Sequence, residues 1–170
     1  VALEEATSFL YILGNYKYLL YIYTCITYTE MKRIYLNTPI SALNRSEVVR
    51  IGKMVFTWCK HTLGINNRKS LLIEYTFSLD EANPKICGEY DDIENIIYIY
   101  YRNCDDIKEL IATILHEWQH SLQPVRSKYH KIKGPYCRNP FEIEARKTEQ
   151  YYSAVWSDIK PKVNKPKKTK

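Results

Sequence analysis

Residues 116–120 read His-Glu-Trp-Gln-His, and the chain's potential for chemistry is concentrated there. Two histidines four apart on a helix lie about 40° apart around its axis and one turn up, so both imidazoles can reach a single ion. The glutamate between them can then orient or deprotonate a water on that ion. The competing reading is a pair of core or idle surface histidines. On a helical projection, Ile107, Leu110, Ile111, Ile114, Trp118 and Leu122 gather on the side away from His116 and His120, and the small Ala112 and Thr113 lie nearer the pair. The histidines thus stand outside the apolar stripe, where a ligand role is the better explanation.

Zinc of the catalytic kind needs a third protein ligand and one open position. The extended pattern H-E-x-x-H-x-x-G-x-x-H fails here, because Gln123 and Arg126 stand where Gly and His are required. The remaining candidates are His130, in the loop that follows, and a carboxylate from Asn-Pro-Phe-Glu-Ile-Glu-Ala-Arg at 139–146. Glu142 and Glu144 differ by about 200° around a helix and cannot both face one ion. Ala145 marks the flank of closest helix approach. Glu142 lies about 60° from it and Glu144 about 100° away on the other side, which favours Glu142. A capping box with Asn139, three residues earlier, is the rival use of Glu142.

These residues need helices to position them. A helix is expected from Ser46, with Glu47 in its first turn, a buried stripe of Val48, Ile51, Val55, Trp58, Cys59 and Leu63, and Gly64 as the stop. Three β-like runs follow at Leu71–Leu79, Lys85–Tyr90 and Ile96–Tyr101, punctuated by Asn83-Pro84 and Asp91-Asp92. Asp105 or Asp106 should cap the histidine-bearing helix, which reaches about Leu122 and is closed by Pro124. Asn139-Pro140 opens one further helix, predicted to run to about Trp156.

With HEWQH at 116–120 and NPFEIEA some twenty residues on, the chain resembles the gluzincin branch of the zincin metallopeptidases, and in particular compact ImmA/IrrE-type peptidases. The resemblance covers about 46–156 and implies an α+β minimal zincin fold: a helix, a short mixed sheet, the HExxH helix and a Glu-bearing helix. It implies zinc held by His116, His120 and Glu142, the Glu of an E-x-x-A pattern with Ala145, and Glu117 as the catalytic carboxylate. The implied activity is hydrolysis of peptide bonds in a protein or peptide substrate, laid along the strand Asn95–Tyr101. The chain departs from the ImmA/IrrE pattern after that Ala, with Arg146, Lys147 and Thr148. A SprT-type DNA-associated protease would use His130 as the third ligand, and a zinc-binding interaction protein with this fold would need no activity. Tyr129, His130 and Tyr136 are the candidates for stabilising a tetrahedral intermediate.

The whole chain has 170 residues, 45% hydrophobic and 26% charged, a composition that supports one globular domain. Its net charge of +6 belongs to the end: residues 160–170 hold six Lys and no acid, which leaves the body neutral. A basic nucleic-acid-binding surface is therefore not supported. Five scattered cysteines without a C-x-x-C pair argue against a disulfide framework and point to a cytoplasmic, reducing compartment. Residues 9–28 are long and apolar, but Lys17 and Asn15 interrupt them and most of their weight is Tyr, so a membrane span is not expected. The division expected is a Tyr-rich segment at 1–45, the metallopeptidase domain at 46–158, and a disordered basic tail at 159–170.

Overall fold

The computed structural model describes residues 33–65, 85–123 and 138–165, and Ile34–Lys165 form one compact unit. The predicted run Leu71–Leu79, the apolar segment 9–28, and His130, Tyr129 and Tyr136 lie outside the described residues. The class is α+β. Among the described residues there are four helices, α1 (Arg45–Thr62), α2 (Ile107–Leu122), α3 (Pro140–Glu149) and α4 (Tyr152–Val163), and two strands, β1 (Gly88–Asp91) and β2 (Ile96–Ile99). The sheet expected to be mixed is here an antiparallel hairpin, with Gly88 opposite Ile99 and Asp91 opposite Ile96. Its turn is built by Asp91, whose carboxylate accepts the N–H groups of Ile93 and Glu94, and by Asn95 at φ 60°. That left-handed angle is one asparagine tolerates.

Helix α1 starts one residue before the predicted Ser46. Asn44 caps it in a reciprocal box with Glu47, and Gly64 ends it at φ 87°. Val48, Ile51, Val55 and Cys59 are buried as expected, together with Gly52 and Phe56, while Trp58 and Leu63 are only partly covered. Helix α2 lies at the centre of the unit. Ile107, Leu110, Ile111, Ile114, Leu115 and Trp118 from α2 meet Ile97 and Ile99 of β2, the α1 stripe, and Val155 and Ile159 of α4 in one core. Burial of a large aliphatic side chain contributes about 1.5–3 kcal/mol, so these positions hold α2 in place.

Two expected boundaries are corrected. Residues 34–45 belong to the packed body. Leu36 and Thr38 lend their carbonyls to the N–H groups of Lys108 and Ile107, the Asp106 side chain takes Glu109 N–H, and the Asp106 carbonyl takes that of Leu110. Three free donors at the start of α2, on Ile107, Lys108 and Glu109, are thereby satisfied, the Leu110 bond is the first of the helix itself, and the cap is Asp106. At the other end, the expected tail is ordered as far as Lys165. Ile159 and Val163, four apart on α4, are both buried, and the helix continues through Pro161. Arg50 donates to the carbonyls of Lys162 and Val163, and Asn164 pairs with both backbone groups of Ile34. The single helix predicted over 139–156 is two, because its hydrogen bonds tighten to i→i−3 at Gln150 and Tyr151.

Candidate metal centre

Helices α2 and α3 run against each other with Ala145 fully buried between them. Asn139 caps α3 with its own side chain, which accepts Phe141 N–H at 3.0 Å, and Pro140 occupies the first helical position. Glu142 does not close a capping box. It turns instead toward α2, with Oε2 3.4 Å from His116 Nε2 and Oε1 3.5 Å from His120 Nε2. The two Nε2 atoms are 3.0 Å apart, and the rings meet edge to face. One donor atom from each of His116, His120 and Glu142 lies within 4.8 Å of the others, a group that could hold a metal ion.

The outer nitrogens settle the tautomers. His120 Nδ1 is 2.8 Å from Gln123 Oε1, and the Gln123 amide nitrogen donates to Phe141 O at 3.0 Å and Glu144 Oε2 at 2.8 Å. Those two partners only accept, which fixes the amide orientation and requires His120 Nδ1 to carry the proton. His116 Nδ1 is 2.6 Å from Glu149 Oε1, another acceptor, so it too carries a proton. In its neutral form each ring then has its lone pair at Nε2, facing the other ring and the Glu142 carboxylate. Glu142 Oε2 is buried and has no hydrogen-bond partner among the described residues.

Three such donors facing one another repel unless a proton or a metal cation lies between them. Donors bound about 2.05 Å from a tetrahedral ion stand about 3.3 Å apart. The separations of 3.0, 3.4 and 3.5 Å bracket that value, so the set fits a small divalent ion such as zinc. Burial opposes a positive charge on His116. The hydrogen bond donated to Glu149 and the negative charges of Glu117, Glu149 and Glu142 outweigh it and raise the ring's proton affinity. The same negative potential attracts a metal cation.

Glu117 is 7% exposed, beside the donors rather than among them. Burial pushes its carboxyl up to about 7; Glu142, Glu89 and Glu149 add to the rise and His116 opposes it. The strand that packs against the Glu117 side chain is β1. A Cβ on Gly88 would lie 2.7 Å from Thr113 Cγ2 and 3.1 Å from Glu117 Cγ, so only glycine lets the β1 backbone come this close.

No protein-family model, curated protein or solved structure matches this chain. The site therefore has to be judged on its own geometry. His116, His120 and Glu142 come together, with Glu117 alongside; Glu144 is exposed and holds Gln123 instead. Sequence reasoning missed Gln123, Glu149 and Gly88. Glu149 had a legible signal, since it follows Glu142 by seven residues, two turns along the same face.

Proposed function

We propose that this chain is a zinc-dependent metallopeptidase of the zincin type, acting on a protein or peptide substrate. The observation that carries the reading is the convergence of His116 Nε2, His120 Nε2 and the Glu142 carboxylate, one oxygen of which has no hydrogen-bond partner among the described residues, with a buried carboxyl beside them. Zinc, when bound, supplies a Lewis acid that polarises a carbonyl and lets water attack near neutral pH. His116, His120 and Glu142 hold it, while Glu149 and Gln123 lock the two rings so that Nε2 faces inward.

Glu117 is the general base. With its carboxyl at about 7, it is partly ionised at neutral pH. It takes a proton from the attacking water as oxygen bonds to the scissile carbon, then returns that proton to the departing amine nitrogen as the C–N bond breaks. Its burial excludes bulk water from the transfer.

No helix among the described residues is long and apolar enough to cross a membrane. Cys59, Cys87 and Cys104 are free thiols, which fits the cytoplasmic placement that forms part of this proposal.

The test pairs metal content with turnover. Purified chain should carry close to one zinc, lose it in His116→Ala, and cleave an unfolded protein substrate. Glu117→Gln should keep the zinc and lose about 10²–10⁴-fold in rate. A chain that neither holds nor takes up zinc refutes the reading. Zinc with no cleavage by the unmodified chain would make it a binding protein instead.

A further inference from the structure

Cys87 and Cys104 form a thiol pair away from the metal centre. Cys87 immediately precedes β1, and Cys104 lies two residues before the Asp106 cap of α2. Tyr100 N–H donates to the Cys87 carbonyl at 2.8 Å, Asn103 Nδ2 donates to Ile86 O at 2.7 Å, and the Cys87 thiol reaches Asn103 O at 3.3 Å. These bonds hold the two stretches side by side. The Cys87 sulfur thus lies against the peptide group that leads directly into Cys104, and each thiol acts on the other's proton affinity.

The two thiols are not equivalent. Cys87 is half-buried and Cys104 is 4% exposed. The neighbouring Cys104 thiol lowers the Cys87 pKa against the opposing effect of burial. The same interaction, together with burial, holds the proton on Cys104. Cys59, by contrast, is fully buried on α1 and pushed up to about 12 by burial, so it stays an inert thiol.

We propose that Cys87 and Cys104 are a peroxide-reactive dithiol that closes to a disulfide, fixing the start of β1 to the approach of α2. An accessible thiolate-forming cysteine beside a buried partner is the arrangement for attack followed by resolution. The Cys87 thiolate attacks one oxygen of the peroxide and becomes a sulfenic acid as hydroxide leaves. The Cys104 sulfur then bonds to the Cys87 sulfur, and the sulfenic oxygen leaves as water with the Cys104 proton. Two thiols are oxidised, the peroxide is reduced, and the sulfurs end about 2 Å apart. This pairing is local and formed on demand, so it is compatible with a reducing compartment. Because Gly88 rests on Thr113 and Glu117, the bond holds in place the strand that flanks Glu117.

The experiment treats the full chain with hydrogen peroxide, alkylates the remaining thiols and maps the peptides. The expected result is a loss of about 2 Da in a linked pair of peptides carrying Cys87 and Cys104, reversed by a reductant. Cys104→Ser should stop at a sulfenic acid on Cys87 that a dimedone probe captures, while Cys87→Ser should leave Cys104 fully alkylatable. Amide exchange in Gly88–Asp91 should slow in the linked chain. Full alkylation of both cysteines after treatment, or linkage of either to another cysteine, would overturn the pairing. Unchanged exchange in β1 would overturn the clamp. None of these readouts depends on zinc or on peptidase activity.

Discussion

Glu117 should cost the metal-free protein stability at neutral pH, and its removal should reveal by how much. Its carboxyl ionises at about 4.5 in an unfolded chain and at about 7 in the fold, chiefly because it is buried. Below pH 4.5 both states hold the proton and the residue contributes no pH dependence. Between 4.5 and 7 the unfolded chain has released a proton that the fold keeps, so stability falls as pH rises; above 7 the loss is constant. A difference of about 2.5 pH units, at about 1.4 kcal/mol each, is roughly 3 kcal/mol. Glu117→Gln, similar in shape and uncharged, should match the parent near pH 4. At pH 8 it should be more stable by about 3 kcal/mol, with activity lost. The assay is urea unfolding of chelator-treated protein at both pH values. A variant no more stable than the parent at pH 8 would show that Glu117 is not desolvated as the structure has it, and that its carboxyl is not poised near neutrality.

Glu142→Ala should weaken zinc binding and abolish cleavage, while Glu144→Ala should retain zinc; equilibrium zinc titration decides, and the reverse result would transfer the ligand role to Glu144. Gln123→Leu removes the acceptor for His120 Nδ1 and the donor to Phe141 O, and should lower zinc affinity about 10–100-fold in a competition assay with a chromophoric chelator. Truncation after Lys165 should leave the melting temperature unchanged. Truncation after Ile159 removes buried Val163 and the Asn164 link to Ile34, and should cost about 2–4 kcal/mol by chemical unfolding.

What could be read from the sequence was local. Helical spacing put His116 and His120 on one face, and short-range capping chemistry announced Asn139 at the start of α3 and the Asp105-Asp106 pair, of which Asp106 is the cap, at the start of α2. Gly64 marked a stop because a left-handed residue there needs no Cβ. Ala145 identified Glu142 over Glu144 because close helix approach demands a small side chain on the shared flank. Each of these signals acts within two helical turns, so the residue types alone carry it.

Tertiary structure decided what depends on distant partners. Composition made residues 159–170 look like a tail, yet Val163 and Asn164 are held by Arg50 and Ile34, more than a hundred residues away in the chain. The 34–45 stretch has no periodic pattern of its own, and it is ordered because the first N–H groups of α2 need acceptors. Glu149 becomes a partner of His116, and Phe141 and Glu144 orient the Gln123 amide beside His120, only once α2 and α3 lie side by side. The thiol pair, too, exists only because the hairpin folds back on the segment leading into α2. Short-range preference can choose an element and its ends, but which carboxylate meets which imidazole is settled by packing.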